Sequence, residues 1–113
     1  MIREFWNKII YLPEKILYKH LEKMDEMIPI NEQMKIEENK DKQGLLWLKI
    51  LKVMSGIYIE KVQIKDSNND IVDYKGSIIE FVENLDVNEI KELWEILKSF
   101  QQKIKEESVQ KKN

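Results

Sequence analysis

His20 is the only histidine and Arg3 the only arginine in a chain of 113 residues that contains no cysteine, threonine or alanine. A lone imidazole works as a general base when a neighbouring group orients it and tunes its basicity. At helical spacing the neighbours of His20 are Ile16 and Met24, and no carboxylate is placed to do this. Zinc proteases need two histidines at i and i+4 and di-iron bundles need repeated Glu-x-x-His, so a single histidine excludes both. Asp66, Asn68 and Asp70 reproduce the first, third and fifth oxygen ligands of an EF-hand loop. Ile71 then stands where that loop needs glycine, and Ser77 where it needs a bidentate glutamate. Asp70 and Asp73 would make an acid/base pair only if burial separated their proton affinities, and a hairpin does not bury them. Gly44, Gly56 and Gly76 are too widely spaced to cradle a phosphate. The residue supply predicts a non-enzymatic protein with no metal and no cofactor.

Composition narrows the class further. Hydrophobic residues make up 42% and charged residues 35% of the chain, which is the balance of a folded domain and not of a disordered segment. A net charge of -2 gives no general attraction to nucleic acid or anionic lipid. A nucleic-acid interface would need a basic stripe and several arginines, and only the mildly basic end around Lys103, Lys105, Lys111 and Lys112 approaches one. No apolar run is long enough for a signal peptide or a membrane span, so the default expectation is a cytoplasmic protein. The excess of Ile, Lys, Asn, Glu and Tyr is the codon bias of an AT-rich genome, and points to an AT-rich bacterium or its phage.

The elements follow from hydrophobic spacing. Ile2, Phe5, Trp6, Ile9, Ile10, Ile16, Leu17, Leu21, Met24, Met27 and Ile28 recur at intervals of three and four, which predicts an amphipathic helix over about 3–11. Pro13 would divide it from a second helix over about 13–27 that ends at Pro29. Residues 30–43 read as a polar connector with a short strand at 33–37. Leu45 to Met54 is apolar almost all round, the mark of a central buried helix, and Ser55-Gly56 is positioned to end it. Residues 57–75 read as a β-hairpin around Asp66-Ser67-Asn68-Asn69, although Ile57, Tyr58 and Val62 also fit a continuation of the helix. Ser77 and Asp86, each followed three residues later by Glu, are capping-box starts for a helix over about 77–84 and a long one from Val87 to about Glu106. Residues 108–113 would be a polar tail behind a single domain over 1–107. The expected fold is mainly α, four to five helices in a small bundle with a short hairpin attached.

The run Leu48-Lys-Ile-Leu-Lys-Val-Met54, a strand-like stretch, and then Ile78-Ile-Glu-Phe-Val-Glu-Asn-Leu85 followed by Ile90, Leu93 and Ile96 resembles the helical part of small tail or baseplate assembly chaperones of contractile-tailed phages. The resemblance spans about half the chain and lacks the proline-bearing ending of that pattern. It implies a phage accessory protein that handles another protein during assembly.

With bond chemistry set aside, the remaining resource is aromatic and aliphatic surface, the material of protein interfaces. The expected function is that of an accessory or adaptor protein acting on another protein, with homodimerisation as a further expectation. Two faces are candidates: Phe5, Trp6, Ile9 and Tyr11 at the N-terminus, and Trp94, Leu97 and Phe100 on the last helix. The N-terminal helices, with Phe5 and Trp6 on the apolar face and Lys8, Lys15, Lys19 and Lys23 elsewhere around them, give contact with a membrane surface as the alternative.

Overall fold

The first eleven residues form a β-hairpin, not a helix, in the computed structural model, which describes the backbone of residues 1–111 and the side chains of residues 1–104 and 106. Strands β1 (Ile2–Phe5) and β2 (Lys8–Tyr11) pair antiparallel with Arg3 opposite Ile10 and Phe5 opposite Lys8. Residues directly opposite share a face of the sheet. Phe5 and Ile10 therefore point the same way, into the core, where they are 5% and 0% exposed. The spacing that suggested a helix fits a strand pair equally well, and the β-branched isoleucines favour the pleated alternative once a partner strand exists.

That partner comes from far along the chain. Strands β3 (Lys61–Lys65) and β4 (Ile71–Asp73) make the second hairpin, and β3 pairs antiparallel with β2, with Ile10 opposite Val62 and Tyr11 opposite Lys61. The result is one four-stranded antiparallel sheet in the order β1-β2-β3-β4. The protein is thus an α+β fold, which corrects the expected mainly α bundle with an attached hairpin.

Helices fill the long connection between the two hairpins. α1 (Tyr18–Met24) begins five residues beyond Pro13, not at it, because Leu17 opens it and His20 supplies the missing cap: the Leu17 amide donates to His20 Nδ1 at 2.8 Å. A 3-10 turn at Asp25–Met27 leads straight into α2 (Ile28–Ile36). Pro29 lies in the first turn of α2, where its lack of an N–H costs nothing, so it starts a helix instead of ending one. The connector and strand expected at 30–43 are replaced by this helix, whose Ile30 and Met34 lie one turn apart against the core.

α3 (Lys40–Tyr58) is capped by Asn39, whose side-chain oxygen accepts from the Asp41 amide at 2.9 Å. It continues past Ser55-Gly56 because Ile57 and Tyr58 are 7% and 1% exposed. Burying them outweighs the cost of about 1 kcal/mol for glycine inside a helix. α4 (Ile78–Glu83) and α5 (Val87–Lys111) start at Ser77 and Asp86 as their spacing predicts. The tail expected at 108–113 belongs to α5 as far as Lys111, and Lys112 and Asn113 lie outside the described residues.

α3 packs against α1, α2, α4 and α5, while α5 crosses β1. The core gathers Phe5, Ile10 and Val62 from the sheet, Leu51, Met54 and Tyr58 from α3, Phe81 and Val82 from α4, and Leu93, Leu97 and Phe100 from α5. The other sheet face carries long polar side chains. Tyr11 donates its hydroxyl to Gln63 at 2.7 Å, and Gln63 donates to Asp73 at 2.9 Å. That bond, with the Lys61 ammonium 3.5 Å away, holds the Asp73 carboxyl below its ordinary value.

Candidate functional site

Four of the five methionines and two of the three tryptophans line one groove. It has a volume of about 570 Å³ and runs between the α1–α2 arm, α3 and α5. Met24, Met27 and Met34 come from the arm, Trp47, Ile50 and Met54 from α3, and Trp94 from α5. Trp47 and Trp94 meet across the helix interface with ring centroids 4.8 Å apart. Lys98, one turn beyond Trp94, holds its ammonium 5.2 Å from that ring, a cation–π contact that places a positive charge at the α5 wall. Asp25, Asn31 and Gln101 supply the other polar groups of the lining.

Beneath the groove the Tyr58 hydroxyl donates to Met24 Sδ at 3.5 Å and accepts from Gln101 Nε2 at 3.5 Å. One buried phenol thereby ties the arm to α5. Burial raises its proton affinity above that of an ordinary tyrosine, and the Gln101 bond opposes the shift in part. The chemistry on offer is recognition: thioethers and indoles bind apolar groups, and the unbranched methionine side chain adapts to irregular shapes.

The seven sequence-derived interface residues are dispersed. Phe5, Leu97 and Phe100 are core side chains, with Phe5 edge-on to Phe81 and Phe100 edge-on to Tyr58. Ile9 is 4% exposed, in the row between Glu4 and Gln63 on the outer sheet face, and Tyr11 is half-buried on the same face. Trp6 stands on the β1–β2 turn, 64% exposed, and only Trp94 belongs to the groove. With Ile2–Phe5 and Lys8–Tyr11 forming strands, Phe5 and Trp6 do not lie on a helix face, while Lys19 and Lys23 lie on α1. Sequence reasoning used Met24, Met27 and Met54 as helix-face positions, left Met34 in the connector and passed over Trp47 as buried. The available signal was the concentration of methionine within 24–54.

His20 is 3% exposed, and its ring nitrogen is engaged by backbone at the start of α1. Asp66 accepts from the amides of Asn68 at 2.9 Å and Asp70 at 3.0 Å, so its carboxylate shapes the β3–β4 turn. Among the described residues no three His, Cys, Asp or Glu side chains stand together as a metal cage, and no helix is long and apolar enough to cross a membrane.

No protein-family model, curated protein or solved structure matches the chain. The segments that resemble phage assembly chaperones lie in α3, in α4 with the turn after it, and in the first turns of α5.

Proposed function

We propose that this is a non-enzymatic accessory protein that binds a partner protein through the methionine and tryptophan groove. The observation that carries the reading is the collection of Met24, Met27, Met34, Met54, Trp47 and Trp94 from five separate elements, α1, the 3-10 turn, α2, α3 and α5, into the lining of one groove. A core needs no opening, and this groove is open with an apolar majority in its lining. Its lining suits a short apolar segment, such as one face of a helix, with Lys98 and Asp25 available to polar groups at the margins.

The test is affinity capture from the source organism with the wild-type chain and with Met34→Glu, a change at a half-buried position. The expected result is a protein held by the wild type and weakened at least about tenfold by the variant while its circular-dichroism spectrum stays that of the folded chain, the loss that burying an unpaired charge against apolar groups produces. Identical retention by both chains would end the proposal.

A further inference from the structure

Tyr58 has a buried hydroxyl with no strong acceptor for its proton. The residue is 1% exposed, and among the described residues the hydroxyl donates only to the Met24 thioether, 3.5 Å away. A thioether sulphur is a weak acceptor. Ionisation offers no escape, because burial makes this phenol hold its proton more tightly than an ordinary tyrosine. Gln101 donates in turn to the phenol oxygen from 3.5 Å. A chain of donors, Gln101 to Tyr58 to Met24, therefore ends on a sulphur atom.

The residue that carries this sulphur opens on the groove. Met24 is half-buried in the groove lining, whereas Met27 and Met54, which line it as well, are 8% and 1% exposed. Met34 is half-buried too, but among the described residues its sulphur receives no hydrogen bond. The other thioether that accepts, Met1, takes its bonds from Arg3 and Lys103 at the exposed surface, where water competes for both donors.

We propose that Met24 is a reversible oxidation site whose sulfoxide is held by the Tyr58 hydroxyl, fastening the α1–α2 arm to α3. The oxidant is hydrogen peroxide. The Met24 sulphur attacks one peroxide oxygen; the O–O bond breaks, an S–O bond forms, and the hydrogen on the transferred oxygen passes to the other, which leaves as water. The sulphur is oxidised by the two electrons that the peroxide gains. A methionine sulfoxide reductase reverses the step. The product suits its surroundings: an O–H···O bond bent at the sulfoxide oxygen spans a sulphur-to-phenol distance little longer than the present 3.5 Å, so the arm hardly has to move. Methionine oxidation ordinarily loosens an apolar contact by placing a polar group in it. Here that group meets a buried donor in need of an acceptor, which offsets the penalty. The inference concerns the lining of the groove and holds whatever the groove binds.

The test treats the folded chain with hydrogen peroxide and locates the added oxygen on each methionine by peptide mass spectrometry. Met24 should be oxidised at least about tenfold faster than Met27 and Met54, which react only when the core opens. Thermal midpoints before and after treatment then isolate the Tyr58 bond, with Met24→Leu as the chain that keeps every other methionine. Wild type should lose no more than Met24→Leu on treatment. Tyr58→Phe, which retains the ring and lacks the donor, should lose about 4 °C more than wild type, the worth of one hydrogen bond in a domain of this size. Reductase treatment should return that loss. Oxidation of Met24 no faster than of Met54, equal losses in wild type and Tyr58→Phe, or a loss that the reductase does not reverse overturns the inference.

Discussion

Tyr58 shows how one polar atom can join parts that the backbone leaves separate. The phenol lies 1% exposed at the end of α3, and its hydroxyl links Met24 to Gln101 under the groove. Tyr58→Phe keeps the ring, and with it the edge contact to Phe100, but removes both bonds. A loss of about 1 kcal/mol in chemical denaturation is expected. The same substitution has a pH signature. Because folding raises the proton affinity of Tyr58, its contribution is complete below the ordinary phenol value of 10.0 and is lost as pH rises past it toward the higher folded value. Wild-type stability should therefore fall above about pH 10 more steeply than that of Tyr58→Phe. Equal slopes would show that the hydroxyl is not held as described.

At the level of elements, local signals succeeded where the atoms that decide the structure are close in sequence. The capping box at Asp86 forms in both directions: its carboxylate accepts from the Glu89 amide at 2.8 Å, and Glu89 accepts from the Asp86 amide at 3.1 Å. Ser77 likewise accepts from the Glu80 amide at 3.1 Å. Asp86→Ala should destabilise the protein by about 1 kcal/mol, with amide exchange rising first in the opening turn of α5. The hairpin of β3 and β4 was legible from its turn residues, although its first residues, Ile57 and Tyr58, complete α3. The N-terminal hairpin was not legible. Its turn is Trp6-Asn7, without the glycine that marks such turns, and its stabilising neighbour, β3, is brought in by a bond between Asn7 and Lys65, 58 residues apart. α2 was missed for a related reason: its polar composition hides Ile30 and Met34, which pack against the core, and Pro29 has opposite meanings at the end and at the start of a helix.

Across the whole molecule, sheet and helices share one core, so they should unfold together. Leu97 is 0% exposed, in the cluster that also holds Ile10 from the sheet and Leu51 from α3. Leu97→Ala is expected to cost about 2–5 kcal/mol and to lower the helical and tertiary circular-dichroism transitions by the same amount. Separate transitions would mean that the sheet and the helices are independent units. The proposed groove, by contrast, opens at the margin of this set, along the half-buried Met24 and Met34 and above the buried Met27, Ile50 and Met54. Trp47 and Trp94 are half-buried along it.

Composition and short-range spacing by themselves determined that bond-making groups are scarce, where α4 and α5 begin, and that the second hairpin turns at Asp66–Asn69, because each of these depends on residues within a turn or two of one another. Only the tertiary structure decided that residues 2–11 are strands, that Pro29 opens a helix, and that four methionines meet two tryptophans in one groove. A periodic apolar segment fits a helix or a strand until a distant partner supplies hydrogen bonds and a surface to bury, and that choice is made by contacts that local spacing does not contain.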